Sequence, residues 1–239
     1  MIKQYIRRLS DFRYNTIRPL LQTPYFGFIE GHSHIIQNEL NKLSSYVGTS
    51  DAQVVNEYEQ NFASLIGDGQ AVSFAAGRMG FYALMKVLDI KSGDEVILQG
   101  STCSVMVNAI LRSKAKPIFS DIDNNTFGSC VNGIKKCISD KTRMIVAQHS
   151  FGIPSDIQSI VELARKYNIF LLEDCALTLG SKINRRVCGN FGDAALFSTD
   201  HSKPLNLLIG GLIYTKDEML YNKLIIIRDG SLELSDSKQ

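Results

Sequence analysis

No run of apolar residues in this sequence approaches the roughly 18 to 20 needed to cross a bilayer. None of the five cysteines (Cys103, Cys130, Cys137, Cys175, Cys188) pairs with another as CxxC, and their number is odd. That argues against a zinc site and a disulfide framework alike, and leads us to expect a reduced, cytoplasmic setting. Charge of neither sign dominates: 26 basic against 24 acidic residues leave a net charge of +2, which gives no electrostatic reason to expect nucleic acid as a partner. No GxxxxGK[ST] loop, internal repeat or low-complexity tract occurs. The N-terminal stretch MIKQYIRRLSDFRYNTIRPLL is basic but has no continuous apolar region of the kind a secretory signal carries. Its Ile2, Ile6, Leu9, Phe12 and Ile17 fall at roughly helical spacing. We read it as an amphipathic arm that docks on the body or on a partner subunit rather than on a membrane, because aromatics and acids interrupt the pattern.

At 239 residues, 44% hydrophobic and 21% charged, the chain has the length and composition of a globular protein with one large domain or two small ones. From Glu57 onward, short apolar strands alternate with amphipathic helices. EYEQNFASLIG reads as a helix with Tyr58, Phe62 and Leu65 on one face, ended by Gly67. Strands are predicted at 71–74, 96–98, 116–122, 143–149, 169–174, 194–199 and 210–215. Helices are predicted at 78–88, 105–113, 131–138, 154–167 and 216–229. Near-continuous apolar stretches such as MIVA and IFLL indicate an α/β fold, a parallel sheet covered by helices on both faces. In such sheets ligands gather beyond the carboxyl ends of the strands, so Gly77-Arg78, Ser101-Thr102-Cys103, His149, Asp174 and Ser198 merit attention.

Three of these features carry chemistry in combination. Asp174 ends a strongly hydrophobic strand, where a carboxylate is costly unless a cation faces it; its plainer reading is a cap for the next segment. Gly77 and Arg78 open a helix directly after a strand, where free amides and the helix dipole suit a phosphate; the plainer reading is a tight turn. Lys203 stands before Pro204, five residues after Ser198. Desolvated, it could attack an aldehyde, and otherwise it is a surface lysine. A phosphate cradle, a carboxylate and a lysine are the parts that pyridoxal phosphate requires. Asp121 and Asp123, like His32 and His34, have a weak metal look, but two ligands without others are not a site.

At this point the sequence resembles the DegT/DnrJ/EryC1/StrS family, sugar aminotransferases of the fold-type-I pyridoxal-phosphate enzymes. The resemblance runs over about residues 57 to 230 as an ordered series: EYEQNFASLIG, GRMGFYALMKVLDIKSGDEVIL, AKPIFSDIDNNTF, KTRMIVAQHSFGIPSDI, LLEDCALTLGS and FGDAALFSTDHSKPLNLLIGG. It implies a fold-type-I large domain with a mostly parallel sheet and pyridoxal 5'-phosphate as cofactor. Lys203 would be the lysine that carries the cofactor and later moves the proton. Asp174 would face the pyridinium nitrogen, while Ser198, Gly77 and Arg78 would hold the phosphate. The substrates implied are an amino-acid donor, expected to be glutamate, and a nucleotide-sugar acceptor in cell-surface polysaccharide or deoxyaminosugar synthesis. A homodimer is implied because the family places its sites at a subunit interface. His201 receives no catalytic step, and Asp121 and Asp123 become a structural turn.

The sequence also departs from the family pattern. Arg78 stands where many members have Thr or Ser, and Leu177 where a Gln or His often follows the Asp. Cys103 replaces the aromatic residue that often stacks on the cofactor ring, which leaves it a cofactor-site residue of a different kind. On this reading residues 1–56 form an arm and loop-rich segment, 57–230 the cofactor-binding large domain and 231–239 a tail, and the family's smaller C-terminal domain is missing. The alternatives are a truncated, non-catalytic homologue acting through a partner or as a regulator, and a sugar dehydratase of the same family. The latter carry histidine in place of the lysine, whereas Lys203 occupies that position here.

Overall fold

A computed structural model of the chain describes residues 50–236, with side chains described as far as Gly230. The arm, His32 and His34 lie outside the described residues. The elements in order are α1 (Asp51–Ile66), β1 (Gln70–Phe74), α2 (Gly77–Val87), β2 (Glu95–Gln99), α3 (Ser104–Arg112), β3 (Lys116–Ser120), α4 (Val131–Cys137), β4 (Thr142–Gln148), α5 (Ile157–Tyr167), β5 (Phe170–Asp174), β6 (Lys182–Ile183), β7 (Arg186–Val187), β8 (Ala194–Ser198), β9 (Gly211–Thr215) and α6 (Glu218–Asp236).

Seven strands form one sheet in the order β1-β9-β8-β5-β4-β2-β3. The expected α/β sheet with helices on both faces is borne out, and the side chains show why. Successive strand residues point to opposite faces. Val72, Leu98, Val146, Leu172, Leu196 and Ile213 pack with Phe81, Leu84, Met106 and Leu224 on one side, under α2, α3 and α6. Their strand neighbours turn the other way. Ala71, Ala195, Phe197, Leu212 and Tyr214 meet Phe62 and Ile66 of α1, while Ile97, Ile145 and Leu171 meet α4 and α5.

Three details differ from the sequence reading, while the mostly parallel sheet that the resemblance implies is borne out, with β9 running antiparallel to both β1 and β8. No helix joins β8 to β9, and an antiparallel neighbour needs no crossover; the joining loop is the one that carries Lys203. Helix α1 starts six residues earlier than expected, at Asp51. A reciprocal box caps it, in which the Gln53 amide donates to Ser50 Oγ and the Ser50 amide to Gln53 Oε1. Leu65 is 59% exposed and Ile66, one residue further round, takes the inner position. The closing helix runs through Gly230 to Asp236, its glycine keeping a negative φ. Its start is fixed by Asp217, whose carboxylate accepts the Met219 and Leu220 amides.

The sheet order places the site. The chain steps outward from β2 to β3 and then returns to the other side of β2 for β4, so the connections leave β2 and β4 in opposite directions. A crevice opens beyond the carboxyl ends of strands at such a reversal.

Candidate active site

That crevice holds a cavity of about 370 Å³. Its wall comes from five strand ends: Ser101, Thr102 and Cys103 after β2, Ile122 and Phe127 after β3, His149, Ser150 and Phe151 after β4, Asp174 and Leu177 at β5, and Lys203 from the loop after β8. Lys203, Asp174 and Cys103 therefore share one cavity. Ser198, Gly77 and Arg78 do not line it but stand together at the neighbouring strand ends. A side chain at Gly77 would place its Cβ 3.6 Å from Ser198 Cβ and 3.2 Å from the Phe197 carbonyl. The first amides of α2 have no intrahelical partner, and Ala76 provides no side-chain cap for them. Arg78 is exposed.

The loop bearing Lys203 is pinched at its base. Thr199 donates its amide to the Gly210 carbonyl and its hydroxyl to Ile209, while the Leu207 amide returns to Thr199. Gly210 has φ +118°, and a Cβ there would lie 2.4 Å from Thr199 Oγ1. Gly211 is more constrained still, since its Cβ would come within 2.3 Å of the Gly77 amide nitrogen. The two glycines thus bring the lysine loop flush against the start of α2. His201 is exposed and pairs with Asp200, away from the cavity lining.

Asp174 is 5% exposed. Burial pushes its carboxyl up from the ordinary range, opposed by the Ala176 amide and by the charges of Lys203 and His149. Among the described residues it makes no ion pair. Thr102 Oγ1, also on the cavity wall, is buried with no partner among the described residues. A cation facing Asp174 and a polar atom at Thr102 would complete both groups, and a primary amine stands in the same cavity. This arrangement suits a ligand with an aldehyde for the amine and a protonatable ring nitrogen for the carboxylate. Pyridoxal phosphate fits these residues, and Cys103 lines the same cavity.

Sequence reasoning overlooked the buried carboxylate next to Asp174 in the chain. Glu173 is fully buried. Its Oε1 accepts the Phe191 and Gly192 amides at 2.6 and 2.7 Å, and its Oε2 accepts the Gly189 amide at 2.8 Å and lies 3.1 Å from His149 Nε2. The Ser155 amide donates to His149 Nδ1, so the ring proton resides on Nε2 and points at Glu173. A second carboxylate in the run LLED was the available signal, because a buried strand cannot hold one without donors. His149, Glu173 and Cys175 bring ligand atoms within 4.8 Å of one another, yet they do not form a metal centre. Both imidazole nitrogens and both carboxylate oxygens are engaged. Burial holds the Cys175 thiol well above the usual range and pushes neighbouring Cys188 up to about 12, so neither is a thiolate at neutral pH. Asp123 is likewise a turn former: Oδ1 accepts the Asn125 and Thr126 amides, which hold its carboxyl below the ordinary range.

Replacing Glu173 with Gln should test this hub. An amide nitrogen would then face N–H donors that an oxygen now satisfies. We expect a loss of about 3 kcal/mol in urea unfolding with the fold retained at low temperature. An unchanged midpoint would show that the hub contributes nothing.

Comparison with known proteins agrees with this geometry. The sequence profile of the DegT/DnrJ/EryC1/StrS aminotransferase family matches residues 32–239. The chain is 36% identical over 177 residues to a GDP-perosamine synthase of Escherichia coli O157:H7, covering 74% of this chain and 49% of that protein. It is 34% identical over 172 residues to the UDP-N-acetyl-3-dehydro-alpha-D-glucosamine 3-aminotransferase of Acidithiobacillus ferrooxidans, covering 72% and 47%. Among solved structures, the aminotransferase from Psychrobacter cryohalolentis superposes with a TM-score of 0.75 at 28% identity, over 81% of this chain and 50% of that one. The chain spans about half the length of the curated relatives it matches. With motifs, sheet order and profile in agreement, the chain belongs to the DegT/DnrJ/EryC1/StrS aminotransferase family.

Proposed function

We propose that residues 57–230 are the cofactor-binding large domain of a pyridoxal-phosphate-dependent aminotransferase. It would move an amino group from an amino acid, glutamate being the expected donor, to a nucleotide-linked keto sugar in polysaccharide or deoxyaminosugar synthesis. The observation that carries this reading is the shared cavity of Lys203 and Asp174 at the reversal of the sheet. Relatives named for the amination of nucleotide sugars support the substrate class.

Bound there, the cofactor would supply an electron sink for the bond-breaking step. The protein's part follows from its own residues. Asp174, held in a dry place, would keep the ring nitrogen protonated by charge pairing. Ser198 Oγ and the amides of Gly77 and Arg78 would hold the phosphate, with the dipole of α2 aligned to it. Lys203 Nζ would hold the cofactor at rest. Once displaced by the donor's amine, it would take the proton from the donor's α-carbon and return one to the acceptor. The net change is amino acid plus keto sugar to 2-oxo acid plus amino sugar.

A lysine at position 203 favours amination over the dehydration carried out by family members with histidine there. A homodimer fits the exposed Leu207, Leu208 and Ile209 of the lysine loop, which would be costly to leave in water. No helix among the described residues is long and apolar enough to cross a membrane, and we place the protein in the cytoplasm. The test is a visible spectrum of the purified chain with pyridoxal phosphate, before and after glutamate. We expect a band of lysine-bound cofactor that glutamate bleaches, with 2-oxoglutarate released. A band that forms but ignores every amino acid would instead favour the non-catalytic homologue.

A further inference from the structure

Two phenylalanines on the cavity wall adopt a backbone conformation that bulky side chains avoid. Phe127 and Phe151 both have φ +55°, in the left-handed region where steric crowding makes anything but glycine, Asn or Asp uncommon. Burial does not compensate, because Phe127 is 50% and Phe151 65% exposed. Folding alone gives no reason for either choice.

The turns themselves are firmly built. Ser150 and Ile153 bridge across Phe151-Gly152, with the Ile153 amide donating to the Ser150 carbonyl at 2.9 Å. Both central residues have positive φ, as in the hairpin turn whose first central position normally takes Asn, Asp or Gly. Ser181 Oγ holds the Gly152 carbonyl at 2.7 Å. On the other side the Phe127 amide donates to the Asp123 carbonyl. Gly128 packs so close to β4 that a Cβ would lie 2.8 Å from the Gln148 carbonyl. Two rigid loops thus present two solvent-facing rings at the rim of the cavity that holds Lys203 and Asp174. Strained residues kept in place by their surroundings point to function.

We propose that Phe127 and Phe151 form the stacking platform for the base of a nucleoside diphosphate, the part of the sugar substrate that takes no part in the amino transfer. This rests on the aminotransferase reading above. A base is flat, apolar on its faces and carried at the far end of such a substrate, so it would sit at the rim while the sugar reaches inward. Stacking on aromatic side chains is also tolerant of base identity, in keeping with rings that carry no hydrogen-bonding group.

The cofactor-loaded full chain would be titrated calorimetrically with uridine diphosphate and guanosine diphosphate, and with pyrophosphate and ribose 5-phosphate as probes lacking a base. We expect at least one nucleoside diphosphate to bind about tenfold or more tightly than either baseless probe. Phe151→Gly and Phe127→Gly should each weaken that binding by about tenfold, while Phe151→Tyr preserves it. Because glycine relieves the left-handed strain, both glycine variants should melt no lower than the native chain and keep the visible cofactor band. Equal affinity in native and glycine variants would overturn the proposal, as would failure of the native chain to prefer nucleoside diphosphates. A glycine variant that loses self-association but keeps nucleotide affinity would also overturn it and make the pair a subunit contact. The cofactor band of the native chain is read separately, so its absence would count against the aminotransferase reading rather than the platform.

Discussion

Lys203→Ala should lower turnover by about three orders of magnitude or more and abolish the visible band of lysine-bound cofactor. The amine both anchors the cofactor and moves the proton, and a positioned acid–base group alone contributes on the order of 10² to 10⁴ in rate. Stability should hardly change, because Lys203 is only half-buried and its backbone amide, which donates to the Asp200 carbonyl, is untouched by the substitution. Exogenous methylamine should restore part of the lost rate, as a mobile amine can take over proton transfer in the vacated space. A variant that keeps both band and turnover would remove Lys203 from the chemistry.

Asp174→Asn should separate stability from activity. In the native chain the folded-state pKa of Asp174 is raised, with burial as the first cause. A carboxyl raised in the fold contributes stability fully below its unfolded pKa of about 3.9, and that contribution is lost as pH rises through the folded value. Ionising the group therefore weighs against the cofactor-free fold, and asparagine should melt at the same temperature or higher once pH exceeds the folded value. With the cofactor the order should reverse. The native carboxylate gains a charge partner that asparagine cannot provide, so the variant should lose cofactor-linked stabilisation. It should also lose about a hundredfold or more in rate, the scale of removing one well-placed electrostatic group. Parallel melting curves with and without pyridoxal phosphate, at neutral pH and near pH 4, would decide it. A cofactor-free variant that melts well below the native chain would mean that Asp174 is a structural cap.

Much of this arrangement could be read from residue order. The near-continuous apolar strands between helices identified the α/β sheet, and strand-end placement alone drew attention to Asp174, Ser198 and Gly77. Less legible was what depends on contacts distant in sequence. The antiparallel course of β9 and the close approach of Gly211 to the Gly77 backbone join segments far apart in sequence, which no local pattern encodes. The β6–β7 hairpin pairs only Lys182 with Val187 and Ile183 with Arg186, too short for periodicity to register. Glu173 drew no reading at all, because its amide donors come from residues 189 to 192. The phenylalanines went unnoticed because their anomaly is one of φ angle. Only the Phe-Gly pairs at 127–128 and 151–152 hinted at it.

The central claim is that one particular amine takes up the cofactor, and reduction followed by peptide mapping tests it most directly. The full chain would be loaded with pyridoxal phosphate, treated with borohydride, digested and sequenced by mass spectrometry. The account predicts the reduced cofactor mass on Lys203 alone. The same mass on another lysine, with Lys203 unmodified, would contradict it.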